Sequence, residues 1–292
     1  MNSQAQETAT RIAIITCREM PEPDFDEEFL MSGLQDRLDA SLVAWDDPSF
    51  QAGDYGLCVV RSSWNYQFAP EAFSDWIRTT NAGTTLLNPA KILLWNLHKE
   101  YLVELAERGV PIVPTALVRT RTGASIEELT REREWTDIVV KPAISGGSYR
   151  TRRFRSSEWA AAQDFLDGLL EDGDALVQRY MESVDTTGEV CLVWIDGEWT
   201  HAIRKEPRFA DDEEGVTLVP TIAPKALELS KRITSLIPGW PDDLLYARVD
   251  LIEDADGELC LSELELIEPS LFLVQHPPAR ERLIAGIARR CR

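Results

Sequence analysis

The segment YARVDLIEDADGELCLSELELIEP, residues 246–269, holds two β-like runs on either side of a tight turn. Its DADG tetrapeptide is a turn signal, so the pattern predicts an antiparallel hairpin over residues 246–267. Side chains two residues apart share one face of a strand, so Glu263 and Glu265 should point together, with Asp250 across from them. Three converging carboxylates offer the oxygen donors that Mg²⁺ prefers. The alternative is a solvated edge strand, polar outward and apolar inward.

Length and charge limit the classes of protein to which this chain can belong. With 292 residues it is too long for one small core, so we expect two or three packed units. Its 50 acidic and 30 basic residues give a formal net charge of −20, which argues against nucleic acid as a main partner. No apolar run approaches the roughly 18 residues of a membrane span, so we expect no membrane partner. An anionic ligand would need a local basic cluster.

Cysteine and histidine usage indicates a reducing compartment and no zinc site. The cysteines are scattered and odd in number, and no CxxC pair occurs, so reduced thiols fit best. Three isolated histidines cannot form a His-rich zinc site. The stretch MNSQAQETATRIAIIT lacks a basic region followed by a long apolar one. We therefore expect a cytoplasmic protein.

Short apolar runs at residues 11–16 and 57–60 predict buried strands near the start of the chain. Between them, FDEEFLMSGLQDRL has apolar residues at helical spacing. This strand–helix–strand order predicts a small α/β domain over residues 1–88, which ends near the turn-like Asn88-Pro89 pair.

Two further units follow from the same reasoning. The second, residues 89–180, opens with the amphipathic stretch NLHKEYLVELAERG, which predicts one helix that ends at Gly109. It continues through the strand IVVKP, a glycine-rich loop, a helix and the strand ALVQRY. The third, residues 181–292, is rich in strands and closes with a helical tail over residues 278–292. The order α/β, α+β and then mostly β is typical of a multidomain enzyme.

The stretch KPAISGGSYRTRRFR, residues 141–155, combines glycines with arginines. Gly146 and Gly147 let backbone amides approach an anion closely, and Ser145 and Ser148 flank them. Four arginines follow within six residues, and arginine matches phosphate oxygens bidentately, so a triphosphate is the expected ligand. The alternative is a flexible surface hairpin whose charges serve solubility. The arginines are Arg150, Arg152, Arg153 and Arg155.

The loop RSSWNY after the strand LCVV is the candidate substrate loop. A loop at the carboxyl end of a strand in an α/β domain commonly opens into a cleft. Its small polar side chains would suit an amino-acid-like group. The alternative is a capped turn, and Trp64 itself is expected in the core. The candidate substrate residues are Arg61, Ser62, Ser63 and Asn65.

Taken in order, these elements resemble the ATP-grasp superfamily of carboxylate–amine ligases, glutathione-synthetase-like in subtype. The likeness covers nearly the whole chain, through NLHKEYL with RGVPIVPT, IVVKP with ISGGSYRTRR, VQRYM, and YARVDL with SELELIEPS. VVRSSWNY, LLNPAKILLWNLHKEYL and ELELIEPSLF are similar to the subgroup that contains the cycloserine-forming cyclo-ligase acting on O-ureido-serine. The implied fold is α/β (α+β) in three parts: an N-terminal α/β domain and two α+β subdomains that clasp ATP.

The resemblance implies ATP and Mg²⁺ as cofactors and gives roles to the matching residues. Lys99 and Lys141 would hold the α- and β-phosphates, and Glu189 would take the ribose. The lid over the phosphates would be Ser145, Gly146, Gly147 and Ser148. The adenine pocket would be lined by Gln178, Arg179, Tyr180 and Met181. The metal ligands would be Asp250, Glu263 and Glu265.

One position departs from the family pattern. Most ATP-grasp enzymes have asparagine where Glu265 stands, and Glu268 adds another acid nearby. An extra carboxylate should bind the cation more tightly, but it also repels the phosphates. Whether Glu265 or Glu268 completes the metal site is left open by the sequence.

The implied reaction is an ADP-forming ligation of a small amino-acid-like substrate. The γ-phosphoryl group passes to a carboxylate, and an amine-like nucleophile then displaces phosphate, either between molecules or within one. Such chemistry needs positioning and charge neutralisation, which we expect from Arg204, Lys205 and Arg248. Two alternatives stay open: an ATP-grasp ligase that modifies a ribosomal peptide, and a nucleotide-binding protein without catalysis. A homodimer is one option for the oligomeric state.

Overall fold

The computed structural model describes residues 10–21, 23–205 and 215–291. Its first sheet is parallel, with strand order β2-β1-β3-β4. All five residues of its central strand β1 are buried, because helices and other layers cover both faces of a parallel sheet. The predicted strands and helix of this region are therefore confirmed. The elements are β1 (Ile12–Thr16), α1 (Phe25–Gln35), β2 (Ala40–Ala44), β3 (Leu57–Ser62), α2 (Pro70–Gly83) and β4 (Thr85–Leu87).

The helix predicted over NLHKEYLVELAERG is broken in the structure. Helix α3 (Ala90–Leu97) ends before His98, and α4 (Tyr101–Glu107) begins three residues later. At the break, the backbone N–H of Lys99 donates to the carbonyl of Ala143 at 2.8 Å. A tertiary hydrogen bond thus replaces the helical one, which amphipathic spacing does not reveal.

The second sheet is antiparallel, with strand order β5-β8-β6-β7. Helices α5 and α6 supply the apolar residues that pack against it, including Ile126 and Leu166. The loop between its strands β6 and β7 is the glycine-rich stretch. The elements are β5 (Thr115–Val118), α5 (Ile126–Arg133), β6 (Asp137–Pro142), β7 (Arg152–Arg155), α6 (Trp159–Leu170) and β8 (Ala175–Arg179).

The third sheet is antiparallel, with strand order β11-β10-β9-β12-β13. Its β12–β13 pair is the predicted hairpin, and Asp250 stands directly opposite Glu263 in the register. The prediction of the hairpin is confirmed. The elements are β9 (Glu189–Ile195), β10 (Glu198–Lys205), β11 (Val216–Val219), α7 (Pro224–Thr234), β12 (Tyr246–Glu253), β13 (Leu259–Glu265) and α8 (Pro277–Arg290).

The three sheets fall within the three predicted segments, but the core crosses their boundaries. Helix α8, near the end of the chain, packs against α1, and Leu283 and Ile284 share one apolar cluster with Leu30 and Leu34. The predicted boundaries, 1–88, 89–180 and 181–292, therefore stay a prediction. The predicted mixed α/β fold class is confirmed. Within the described ranges, we find no helix with the length and apolarity to span a membrane.

The free edge of β13 is held by side chains from α3 and α4. Asn96 donates its amide to the carbonyl of Leu264 and accepts from the N–H of Leu266, both at 2.8 Å. The hydroxyl of Tyr101 accepts from the N–H of Leu264 at 3.1 Å. An edge strand carries unpaired backbone groups, and these bonds satisfy them inside the protein. They fix the strand that carries Glu263 and Glu265.

Replacing Asn96 with alanine should destabilise the fold markedly. Two buried backbone groups would lose their partners, at a cost of about 1–3 kcal/mol each. Urea unfolding of Asn96→Ala measures the loss, and Asn81→Ala, at an exposed position in α2, is the matched control. Equal unfolding midpoints for the two variants would show that water replaces the Asn96 bonds.

Candidate active site

A cleft of about 640 Å³ lies where the three sheets meet. Trp64 and residues 66–68 line it from the N-terminal segment, and residues 145–149 line it from the glycine-rich loop. Residues 178–181 form another part of the wall, and residues 262–265 form the base. Residues from all three predicted segments therefore contribute to one cavity.

Two lysines face the acidic hairpin in this cleft. Lys99 is buried and its ammonium group contacts the carboxylate of Glu263. Burial opposes the charged form of Lys99, but the contact with Glu263 outweighs it and leaves its pKa raised. Lys141 also lines the cleft, and burial lowers its pKa. The predicted lysine pair is therefore brought together beside a carboxylate.

The carboxylates of the hairpin lie on one face, as their spacing predicts. Asp250 is buried and accepts from Nε and Nη2 of Arg248, each at 2.8 Å, while Glu265 contacts the same guanidinium. Burial opposes ionisation of Glu263, but Lys99 and Lys141 lower its pKa to about 2. Burial raises the pKa of Glu265 to about 8, despite Arg248. One face thus holds carboxyl groups of very different basicity.

The donor set of the hairpin fits Mg²⁺. Asp250, Glu263 and Glu265 offer carboxylate oxygens, the ligands of hard cations. Asp250 also has a ligand atom within 4.8 Å of those of Glu189 and Cys191. Burial raises the pKa of Cys191 well above its usual range, so this group is a neutral thiol and a poor ligand for a hard cation. The metal assignment therefore stays with the carboxylates, as a prediction.

The predicted adenine residues form another wall of the cleft. Gln178 donates to the hydroxyl of Thr115 at 2.8 Å, and Met181 packs with Val113 and Ile252. This apolar slot suits a flat base. Val113 and Ile252 lie outside the VQRYM motif, which therefore does not predict them as part of the slot. All the predicted nucleotide residues of this wall line the cleft: Gln178, Arg179, Tyr180, Met181 and Glu189.

The glycine-rich loop lies over the cleft, but its arginines do not line it. Ser148 has φ +58 and Gly147 has φ +55, so two successive residues adopt the left-handed region. Arg150 donates to Asp172 at 2.5 Å, and Arg153 donates to Asp137 at 2.6 Å. These two arginines therefore pair with acids of their own subdomain and do not reach the cleft. The lid residues that line the cleft are Ser145, Gly146, Gly147 and Ser148.

Of the predicted catalytic residues, the structure brings Arg248 and Lys205 to the cleft but not Arg204. Neighbouring residues of a strand point to opposite faces, so Lys205 and Arg204 diverge on β10. Arg204 donates to the carbonyl of Thr187, away from the cleft. Lys205 lies 3.4 Å from Glu189 and 3.8 Å from Asp250.

The predicted substrate loop reaches the cleft with different residues from those expected. Ser62 donates to Glu27, and the guanidinium of Arg61 donates to the carbonyl of Pro269 at 2.9 Å. Trp64, expected in the core, is half-buried in the cleft wall instead. The residues not brought to the cleft are Arg61, Ser62, Ser63 and Asn65, and those that line it are Trp64, Tyr66, Gln67 and Phe68.

The buried carboxyl group of Glu27 should make stability depend on pH. Burial raises its pKa from 4.5 to about 7, so between these values the folded protein keeps a proton that the unfolded chain has lost. Stability therefore falls as the pH rises through this window. Glu27→Gln removes the effect and should gain up to roughly 3 kcal/mol over the wild type between about pH 5 and about pH 8.

Urea unfolding at the two pH values measures this difference. The matched control is Glu28→Gln, at the exposed neighbouring position of α1, which should follow the wild type. Parallel pH profiles for Glu27→Gln and the wild type would exclude Glu27 as the source.

Comparisons with known proteins place the chain in a family. A profile described as the D-cycloserine synthetase DcsG N-terminal domain matches residues 12–88. The cycloserine biosynthesis protein DcsG of Streptomyces lavendulae is 30% identical over 270 residues, 87% of this chain and 89% of that protein. The crystal structure of D-cycloserine synthetase DcsG has a TM-score of 0.89 at 26% identity, covering 96% of this chain and 99% of that chain.

A more distant structure shares the fold. The ATP-grasp ligase PsnB, solved with a variant of its minimal precursor, Mg and ADP, has a TM-score of 0.65 at 18% identity, over 98% of this chain and 100% of that chain. The motif-based resemblance is confirmed by these comparisons together. With a relative 30% identical across most of its length, the chain belongs to the DcsG family of ATP-grasp ligases and is an ATP-dependent carboxylate–amine ligase.

Proposed function

We propose that this protein uses ATP to activate the carboxylate of a small amino acid as an acylphosphate, and that a nitrogen of the same molecule closes a ring. One observation carries the proposal. A paired lysine and carboxylate, Lys99 and Glu263, lies in a cleft of about 640 Å³ whose substrate side is walled by Trp64 and Tyr66. Relatedness to a cycloserine synthetase supports the cyclising version.

The residues of the cleft would bind the phosphates of ATP and hold the Mg²⁺ that neutralises their charge. Lys99 and Lys141 would hold phosphate oxygens, and Asp250, Glu263 and Glu265 would hold Mg²⁺. When bound, Mg²⁺ would neutralise charge on the phosphates and orient the γ-phosphoryl group. The PsnB structure with Mg and ADP supports these cofactors.

The lid over the cleft would protect the activated substrate. An acylphosphate hydrolyses, so water must be excluded while the nitrogen attacks. The glycine-rich loop contacts the substrate loop through Phe68 and Tyr149, whose rings pack edge to face with centroids 4.9 Å apart. This contact would hold the two loops together over the reacting groups.

A small substrate is favoured over a peptide. The cleft must hold a nucleotide as well as the substrate, and its volume falls within the range of small-molecule sites. Similarity to DcsG, with a TM-score of 0.89, exceeds that to the precursor-binding PsnB, with 0.65. A cytoplasmic location, a homodimer and the lack of nucleic-acid or membrane partners remain predictions.

The test is an assay of the purified protein with MgATP and O-ureido-D-serine. We expect ADP, phosphate and a cyclised amino acid in step, and D-serine, which lacks the ureido nitrogen, is the control. Ligation to an added amine without ring closure would point to an intermolecular ligase. ADP release with precursor peptides alone would favour peptide modification. Nucleotide binding without ADP from any carboxylate would leave a non-catalytic protein.

A further inference from the structure

Glu268 is a buried carboxyl group of the cleft that lies just beyond the metal hairpin. Its carboxyl group lies beside the hydroxyl of Tyr66. Its carbonyl accepts from the indole N–H of Trp64 at 3.1 Å. Two aromatic residues of the substrate loop therefore border Glu268, Trp64 at its carbonyl and Tyr66 at its carboxyl group, whereas the carboxylate of Glu263 contacts Lys99.

The same acid lies directly under the lid. A Cβ placed on Gly146 would be 3.5 Å from Oε1 of Glu268 and 3.6 Å from the hydroxyl of Tyr66. The carboxylate and the phenol are thus next to each other and next to the lid backbone. The geometry places them where the substrate loop, the lid and the end of the hairpin converge.

The position of Glu268 suits proton transfer better than metal binding, because Glu268 lies beyond the end of β13 and beside the lid, whereas Glu263 and Glu265 lie opposite β12. The groups that face Glu268 are Tyr66, Lys99 and Glu263. Burial raises the pKa of Tyr66 well above its usual range, so the phenol stays a hydrogen-bond donor. A carboxyl group that lies between the lid and the substrate loop is positioned to accept a proton from a group bound there.

We propose that Glu268, positioned by Tyr66, receives the attacking nitrogen of the substrate and accepts its proton. This inference rests on the proposed function. The nitrogen lone pair forms the C–N bond to the acyl carbon, and the N–H proton passes to the Glu268 carboxylate. The C–O bond to phosphate breaks, and its electron pair leaves with the phosphate. Glu265 rather than Glu268 then completes the metal site.

The first test separates this role from metal binding and needs no substrate. Calorimetry with Mg²⁺ and the ATP analogue AMPPNP should give Glu268→Gln an affinity within about twofold of the wild type, because Glu268 takes no part in holding the nucleotide. Glu263→Gln should bind MgAMPPNP more weakly, because it removes a predicted ligand of the Mg²⁺ that neutralises the phosphates. A loss of tenfold or more for Glu268→Gln would make Glu268 a metal ligand and overturn the proposal.

The second test separates the two chemical steps. With MgATP and O-ureido-D-serine, Glu268→Gln should form the ring about 10²-fold more slowly than the wild type. Hydroxylamine, a strong nucleophile that is largely unprotonated at neutral pH, should still trap the acylphosphate as a hydroxamate at a near wild-type rate. Equal losses of ring and hydroxamate, or unchanged ring formation, would overturn the assignment.

A conservative variant guards against misfolding. Tyr66→Phe keeps the stacking on Phe73, whose ring centroid is 5.1 Å away, and removes only the hydroxyl that holds Glu268. Ring formation should fall roughly tenfold while hydroxamate formation is retained, as expected for a positioning residue. Unchanged ring formation would overturn its role. If the wild-type protein releases no ADP with O-ureido-D-serine, the proposed function is refuted. This outcome differs from those that would refute only the role of Glu268.

Discussion

Glu263→Gln should lower kcat by about 10²-fold or more. Glu263 stands opposite Asp250 and contacts the buried Lys99, so it is central to the charges of the cleft. Neutralising it removes a predicted metal ligand and leaves the Lys99 ammonium without its carboxylate. Steady-state rates at saturating MgATP, with a titration of Mg²⁺, measure the effect.

The same substitution should also lower stability, because the buried Lys99 loses the carboxylate that it contacts. Glu263 is partly exposed to the cleft, and Glu265 and Glu268 also face Lys99, so the loss should stay below the roughly 3–5 kcal/mol that breaking a fully buried pair costs. Glu258→Gln, at an exposed position at the turn of the same hairpin, is the matched control and should affect neither quantity. A folded Glu263→Gln protein with near wild-type turnover would show that the hairpin carries no metal needed for catalysis.

The acidic hairpin could be predicted because its determinants are local. The DADG turn sets the register, and alternation along a strand sets the face, so the meeting of Asp250 with Glu263 follows from spacing. The same alternation placed Lys205 in the cleft and should have excluded Arg204. Arg204 and Lys205 are consecutive in β10, so only one of them can face the cleft, and the prediction that both are catalytic was inconsistent with this alternation.

The orientation of the arginines that follow the lid glycines could not be predicted from the local sequence. Arg150 and Arg153 face Asp172 and Asp137, which come from other elements and are not adjacent in the sequence. An arginine beside a glycine loop is therefore not aimed at a ligand by its position alone. Partners that arrive through the tertiary fold decide where the guanidinium goes.

Two asparagines, Asn88 and Asn96, show the same limit for the fold. Asn88 donates to the carbonyls of Tyr246 and Leu266 at 2.9 and 2.8 Å, and Asn96 bonds to the edge of β13. These contacts join residues more than 150 positions apart, so the spacing of apolar residues within one helix or strand cannot predict them. They nevertheless fix the strand that presents the carboxylates.

Arg248→Lys should lower kcat by about 10²-fold while the affinity for AMPPNP stays within a few-fold of the wild type. Arg248 is buried, and its Nε and Nη2 reach Asp250 while Nη1 donates to the carbonyl of Ser270 at 3.1 Å. A single ammonium group cannot span these acceptors. It would also lack the planar fork that can face an acylphosphate and its tetrahedral successor.

The ion pair with Asp250 alone would also explain the position of Arg248, and kinetics separates the two roles. If Arg248 serves only the fold, Arg248→Lys should lose thermal stability and keep its turnover at temperatures where it stays folded. If it stabilises the reacting carboxyl group, turnover falls even in the folded protein. Arg78→Lys, at an exposed ion pair in α2, is the matched control and should change neither quantity. Unchanged kcat for Arg248→Lys would remove Arg248 from the catalytic machinery and leave Lys205 as the cleft's remaining predicted catalytic cation.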